Sequence, residues 1–296
     1  MEELMFSLAA IGTAGTVGRK LYLAACYGIK RFLEPYFIAH EAKVKAKTEL
    51  AIFRNDPLKQ LEFAQEFMKN ADGRFPMEAV EEMKNICNVI KAAVGCTDGS
   101  LISESIYSES EDKEWYARLF DEVKYISDAE LQIVWGRLLA ERMTNPQGIN
   151  NRVLYFIRDL DKSEIETIRR SMRIFLNDTF VPDCVVNKFE GMPNDLPKLL
   201  SLRIIYRSGD PIHPLVTCFD LPKDSKIIGK GYDFHIQSLE GVKKLDVQCY
   251  ALTSEGEVLC RLCDSKLSKS EARMICDHLN KYWQNQARVE LVEKER

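Results

Sequence analysis

The chain has 296 residues, of which 46% are hydrophobic and 29% charged, so it can bury a sizeable core in two or three structural units and is not a disordered tail. Its formal net charge of −4 supplies no general attraction for nucleic acid, because proteins that bind duplexes usually carry a strong basic excess. The nine cysteines are odd in number and widely spread, and the sequence starts with the acidic segment MEEL. Both features favour a protein of the reducing cytosol over a secreted one.

The N-terminal segment joins an uncharged stretch to a basic, aromatic one. Residues 4–18 carry no charge, but they include three glycines and are shorter than the ~20 apolar residues of a spanning helix. Over residues 19–47, seven basic residues against two acidic ones are interleaved with aromatic side chains, as in helices that lie at a membrane interface. The alternative is a helix that packs on the rest of the protein or on another subunit. The candidate residues for contact with a membrane or partner are Arg19, Lys20, Tyr27, Lys30, Arg31, Phe32, Tyr36 and Phe37.

Two further helices are predicted in this N-terminal helical region, residues 1–97. The first spans residues 57–70 and opens with Asp56 as a polar cap followed by Pro57. The second spans residues 76–94 and repeats apolar side chains at helical spacing. Residues 98–113 are rich in serine and acids without a periodic face, which predicts a linker.

Residues 114–200 are predicted to form a helical bundle. Trp115, Leu119 and Val123 lie on one helical stripe, and a second, wider stripe contains Trp135. Capping boxes are predicted at the starts of two helices, and the segment NPQG (145–148) ends one helix. The predicted capping pairs are Ser127 with Glu130 and Ser163 with Glu166. The acidic residues of this bundle are interpreted as solvated charge or caps, because no histidine is near them in sequence.

The bundle segment resembles a known bacterial family. The residues that carry the resemblance are WYARLFDEVKYISDAELQIVWGRLLAER (115–142), Pro146, Arg152 and LDKSE (160–164). They are similar to the Trp-led helix, second helix, proline turn and LKNLSKEE segment of domain of unknown function 2806, with a weaker continuation through residue 262. Gly136 stands where that family usually has alanine, Gln147 where it commonly has glycine, and Asn151 where it has an apolar residue. The family implies no established reaction, and a looser likeness to abortive-infection proteins of the alpha type implies a role in phage defence.

Residues 201–296 change to short β-branched and aromatic runs separated by glycine, proline and aspartate. This pattern predicts strands of an antiparallel sheet, with helices at 253–263 and 268–284 and a closing strand at 287–293. The fold class is therefore predicted to be α+β, with a mostly helical first part and a small antiparallel-sheet domain at the C-terminus.

Three candidate chemistries lie in this C-terminal domain. Cys260, Cys263, Cys276 and His278 superficially have zinc-like spacing, but two helices would direct them apart, so buried thiols are the preferred interpretation over zinc or a redox pair. A dispersed hydrolase or nuclease site would use Asp210, His213, Asp233 and His235. The segment GKGYD (229–233) lacks the spacing of a phosphate loop and is predicted to be a β-turn.

Two functions follow from these observations. The preferred one is a non-enzymatic bacterial interaction protein without a cofactor, cytoplasmic or peripheral at the inner membrane, serving phage defence. Its expected partners are a second copy of the chain, another defence protein or an anionic membrane surface, and nucleic acid is not favoured. The alternative is the dispersed hydrolase or nuclease, which requires at least three of its four polar residues to converge in one pocket.

Overall fold

The structure, a computed structural model, describes residues 16–41, 46–70, 73–96, 109–146, 148–207, 217–220, 225–239 and 241–294. The chain forms two compact units, Met1–Arg158 (unit 1) and Asp159–Arg296 (unit 2). The division lies inside the predicted bundle of residues 114–200, and a helix begins at Glu109 within the predicted linker. The chain is thus divided differently from the prediction, because the helices after the linker pack on the N-terminal ones.

The described residues of unit 1 form helices joined by turns and loops, without a strand. Its helices are α1 (Thr16–Glu41), α2 (Ala46–Asn55), α3 (Pro57–Lys69), α4 (Met77–Cys96), α5 (Glu109–Val123), α6 (Ala129–Thr144) and α7 (Asn151–Arg158). The predicted helices at 57–70 and 76–94 are confirmed within two residues at each end.

Helix α1 is the central element of unit 1. Leu21, Ala25, Ile29 and Leu33 follow one another at four-residue spacing, and each has no exposed surface. They form the stripe of a helix that packs against α2, α3, α4, α5 and α6. The apolar face of α1 is therefore buried within its own unit.

The helix starts depend on aspartate rather than serine at two of the three predicted caps. Asp56 caps α3 as predicted, and its carboxylate accepts hydrogen bonds from the backbone of Leu58 and Lys59. The predicted Ser127 cap of α6 is wrong, because the carboxylate of Asp128 accepts the bonds from the first turn. A carboxylate is also favoured there by the positive end of the helix dipole.

The second wrongly predicted cap lies at the start of the first helix of unit 2. Asp161 and Glu164 form a capping box in which each side chain accepts a hydrogen bond from the other's backbone, at 2.7 and 2.8 Å. The helix therefore starts two residues before the position predicted from Ser163 and Glu166. Both pairs have the same three-residue spacing, so sequence spacing alone does not distinguish them.

In the part that the structure describes, unit 2 combines helices with three small sheets. Its elements are α8 (Lys162–Ser171), a 3₁₀ turn (Met172–Ile174), β1 (Phe180–Pro182), α9 (Asp183–Val186), α10 (Met192–Ser201), β2 (Ile205–Arg207), β3 (Thr217–Asp220), β4 (Ser225–Ile228), β5 (Tyr232–Ser238), β6 (Lys244–Val247), β7 (Cys249–Leu252), α11 (Ser254–Leu262), α12 (Lys269–Tyr282) and β8 (Ala287–Glu293). The predicted α+β class and the closing strand at 287–293 are confirmed.

Every strand pair in unit 2 is antiparallel among the described residues. The strand orders are β1-β7-β2, β3-β6 and β4-β5-β8. β4 and β5 are joined by the predicted turn, in which Gly229 donates its backbone N–H to Tyr232 and Gly231 has φ +93°. In β8, Ala287 and Val289 are buried and alternate with exposed side chains, so one face of this sheet lies in the core and the other faces solvent.

Candidate ligand-binding groove

The structure locates half of the predicted hydrolase site. Asp210 and His213 lie outside the described residues. Asp233 and His235 occupy neighbouring positions on the outer face of β5, where Asp233 is 7% exposed and His235 is exposed. The Asp233 carboxylate forms ion pairs with Nζ of Lys226 at 2.7 Å and with Nζ of Lys294 at 3.3 Å. Asp233 therefore links β4 and the end of β8, and the convergence of three site residues stays a prediction.

Asp233 is predicted to make the stability of unit 2 sensitive to acid. Burial raises the pKa of its carboxyl, but the hydrogen bond from Lys226 and the charge of Lys294 outweigh burial, so the pKa lies below its ordinary value. The ion pairs then stabilise unit 2 above the ordinary aspartate pKa, and this stabilisation is lost as pH falls below about 4 through the lowered pKa. Asp233→Asn should lower the free energy of unfolding at pH 7 by roughly 1–3 kcal/mol.

Hydrogen exchange measured on peptides from β4, β5 and β8 tests this prediction. The wild type and Asp233→Asn should differ at pH 7 and converge below about pH 4. The control is Asp246→Asn, on the exposed side of β6, which should change little. A constant difference at all pH values would contradict the ionic role of Asp233.

The cysteines of the weak zinc candidate make separate contacts. The Sγ of Cys260 lies 3.3 Å from Oδ1 of Asp178, whereas the Sγ of Cys276 lies 3.3 Å from the carbonyl of Val289. His278 contacts the carbonyl of Met274 through Nδ1 at 2.8 Å. Burial raises the pKa of both buried thiols, which disfavours the thiolate form. Among the described residues, no three His, Cys, Asp or Glu side chains are grouped as metal ligands. The fourth member of the candidate, half-buried Cys263, ends α11.

The predicted contact residues of α1 divide into an inner and an outer group. On the inner side, Phe37 stacks on Phe53 with ring centroids 4.3 Å apart, and Tyr36 meets the edge of Phe67 at 4.9 Å. On the outer side, the cations Arg19 and Arg31 are exposed, while Lys20, Tyr27 and Lys30 are half-buried. The aromatic side chains thus contribute to packing within unit 1.

A groove of about 320 Å³ opens beside α1, between this helix, α4 and the end of α5. Three of the predicted contact residues, Arg31, Phe32 and Tyr36, line it. The complete lining consists of Gly28, Arg31, Phe32, Pro35, Tyr36, Glu82, Ile86, Phe120, Asp121 and Lys124.

The floor of the groove is apolar and tightly packed. Ile86 and Phe120 are buried, and the Phe120 ring lies directly against the α1 backbone. A Cβ on Gly28 would approach the ring carbons of Phe120 to 2.5 Å, so only glycine permits this contact. Gly28 therefore helps to set the depth of the groove.

The rim of the groove carries two cations and two carboxylates. Arg31 donates a hydrogen bond to Asp121 at 2.9 Å, and this bond raises the pKa of the Arg31 guanidinium. The Lys124 ammonium lies 4.7 Å from the centroid of the Tyr125 ring, and its interaction with the Tyr125 side chain raises its pKa. Lys124 also experiences the negative charges of Glu82 and Asp121. Both cations remain charged at neutral pH.

Glu82 is a rim carboxylate that acts on its neighbours only through its charge within the part of the chain that the structure describes. It is half-buried, and within the described part of the chain its carboxylate makes no hydrogen bond or ion pair. Tyr36 is close enough that, after burial, the Glu82 charge is the next cause of its raised pKa. A half-buried carboxylate without a bonded partner lowers its free energy by binding a cationic donor.

Sequence reasoning identified only the α1 side of this groove. Glu82 lies 51 residues after Arg31 and Lys124 a further 42 residues on, so neither residue spacing nor local pattern connects them. A helical-wheel comparison places Glu82 beside the buried Met83 and Ile86, but it does not predict which helix α4 faces.

Comparison with known proteins finds a family model that matches part of the chain. Residues 69–180 match the model of the family described as Protein of unknown function (DUF2806). The resemblance found in the bundle segment is confirmed, and the matched segment begins earlier and ends earlier than the residues 114–262 expected from the motifs. Searches of curated proteins and of solved structures found no match. Among the helices that the structure describes, none is both long and apolar enough to cross a membrane.

Proposed function

We propose, from the match of residues 69–180 to the DUF2806 family and from the groove beside α1, that this chain is a non-enzymatic bacterial interaction protein. The observation that carries the proposal is the groove itself, an apolar floor with a rim of two cations and two carboxylates. Such pockets, with a few convergent polar groups above apolar side chains, are the usual form of binding sites. Unit 1 is the recognition part of the protein.

The matched family segment supplies one wall of the groove. Glu82, Ile86, Phe120, Asp121 and Lys124 all lie within residues 69–180, whereas the other wall comes from α1. The groove thus joins the family segment to the basic aromatic helix that precedes it, and a ligand there would contact both.

The proposed biological setting is bacterial phage defence, which rests on the likeness to abortive-infection proteins. A strain that expresses the chain should show fewer plaques, and the double variant Glu82→Gln with Lys124→Met should lose this protection at an equal protein level. Equal protection by both proteins would contradict a role for the groove. A strain without protection against a broad phage panel would contradict the defence role.

A membrane surface is the second candidate partner, favoured by the outer side of α1. Arg19, Leu23, Tyr27 and Arg31 follow one another at four-residue spacing, and Leu23 is 53% exposed. This stripe combines cations with apolar side chains in the manner of interfacial helices.

Charge reversal of Arg19 on this stripe and of Lys30 beside it is expected to remove binding to anionic vesicles. Each cation near anionic lipid contributes about 1 kcal/mol, so Arg19→Glu with Lys30→Glu should move the protein from the floating to the soluble fraction in a flotation assay. Binding of the wild type should weaken as salt is raised. The matched control is Lys59→Glu with Lys84→Glu, on α3 and α4, and it should still float. A wild type that does not float would contradict membrane binding.

A further inference from the structure

We propose that the groove beside α1 binds a small zwitterion with an aromatic or large apolar side chain, the chemical class of free amino acids. The inference rests on the proposed function, because it names the ligand of the same groove. In this assignment Glu82 binds the ammonium group, Lys124 binds the carboxylate, and the half-buried rings of Phe32 and Tyr36 contact the apolar side chain.

The volume of the groove suits a small molecule. Ligand pockets range from about 300 to 1,000 Å³, so a groove of about 320 Å³ is at the lower end and fits a ligand of amino-acid size. Ile86 and Phe120 lie beneath the groove and are almost fully buried, so the apolar surface open to a ligand comes from the half-buried rings of Phe32 and Tyr36.

The charges of the rim select a zwitterion over an ion of one sign. Arg31 and Lys124 oppose Glu82 and Asp121, so the rim has no net charge. A polyphosphate or a nucleotide would bring several negative charges towards the two carboxylates, and a polyamine would bring positive charges towards the two cations. One ammonium and one carboxylate match both pairs.

Glu82 and Lys124 are the two groups with capacity for a ligand. Arg31 and Asp121 already form an ion pair with each other, 2.9 Å apart. Glu82 has no bonded partner in the described residues, and Lys124 is engaged with the ring of its neighbour Tyr125. An ammonium ligand would satisfy the half-buried Glu82 carboxylate, and a carboxylate ligand would give Lys124 a charged partner.

Titration calorimetry of the full chain with L-phenylalanine tests the assignment. The wild type should bind, and Glu82→Gln should weaken binding about tenfold or more, because a hydrogen bond to a charged group is lost. Lys124→Met, which keeps the apolar stem of the side chain, should weaken binding similarly. The matched control Glu81→Gln removes a neighbouring carboxylate that pairs with Lys84 on the exposed side of α4, and it should bind as the wild type does.

Two truncated ligands separate the roles of the charges. Phenylpropionate lacks the ammonium, so its weaker binding should be unchanged in Glu82→Gln and reduced in Lys124→Met. Phenethylamine lacks the carboxylate, so its binding should be reduced in Glu82→Gln and unchanged in Lys124→Met. Equal effects of each variant on both ligands would overturn the assignment of charges.

The remaining outcomes distinguish this inference from the proposed function. If a phenylalanine dipeptide bound more tightly than free phenylalanine, the proposal of a free amino acid as ligand would be overturned. The ligand would then be the end of a peptide. Absence of binding for phenylalanine, tyrosine and leucine at 10 mM, about ten times a weak millimolar Kd, would overturn the zwitterion. If the groove variants nevertheless lost phage protection, the groove would still serve the proposed function, but with a ligand that is not a free amino acid.

Discussion

Replacing Trp135 by alanine is expected to lower the free energy of unfolding of unit 1 by roughly 3–5 kcal/mol. Trp135 is 2% exposed and lies on the buried face of α6, the face that packs on α4. Alanine would leave a cavity larger than the surrounding helices can fill, and the lost transfer free energy of the indole adds to the cavity cost. Urea denaturation followed by circular dichroism measures the change.

The control for this prediction is Ile133→Ala on the same helix. Ile133 is 45% exposed, so its truncation removes little buried surface and should change stability by at most about 0.5 kcal/mol. Equal effects of the two substitutions would show that Trp135 does not belong to the core. In that case it would be an anchor for a partner rather than a packing residue.

Gly136→Ala is expected to destabilise unit 1 by roughly 1–3 kcal/mol, although alanine favours helices. A Cβ on Gly136 would lie 2.5 Å from Cβ of Ala92 and 2.8 Å from the backbone nitrogen of Ala93. Helices α4 and α6 would have to move apart, because the backbone atoms at this contact cannot rotate away as a side chain can.

Gly95→Ala provides the matched control within α4. A Cβ on Gly95 meets nothing within 4 Å, so this substitution should be neutral or stabilise the helix by up to about 1 kcal/mol. Thermal unfolding should show a lowered melting temperature for Gly136→Ala and an unchanged or raised one for Gly95→Ala. A stabilising Gly136→Ala would show that α4 and α6 can move apart without a cost in stability.

The α+β class and most elements could be predicted from sequence because they depend on local periodicity. The helix caps are features that local sequence pattern does not fully determine. Ser127 and Asp128 both fit an N-cap, as do Asp161 and Ser163, and the choice depends on where the first helical turn is held by packing. The boundary between the units was also beyond local pattern, because it depends on which helices contact each other across the sequence.

The candidate site illustrates the same limit. The α1 residues Arg31, Phe32 and Tyr36 were identified because aromatic and basic side chains alternate within a short segment. Glu82 and Lys124 looked like ordinary charged residues of helix surfaces. Their significance comes from an arrangement in which three helices bring them to one groove.

By itself, the sequence determined the helical periodicity of unit 1, the antiparallel strands of unit 2 and the resemblance of the central segment to one family. These properties are local, since each is encoded in the spacing of apolar residues or in motifs within a few turns. The tertiary structure alone decided that the apolar face of α1 is buried in its own unit, that Asp233 is held by two lysines, and that Glu82 faces the groove. Those outcomes depend on contacts between residues far apart in the chain, and the burial and pairing of a charge are set by such contacts.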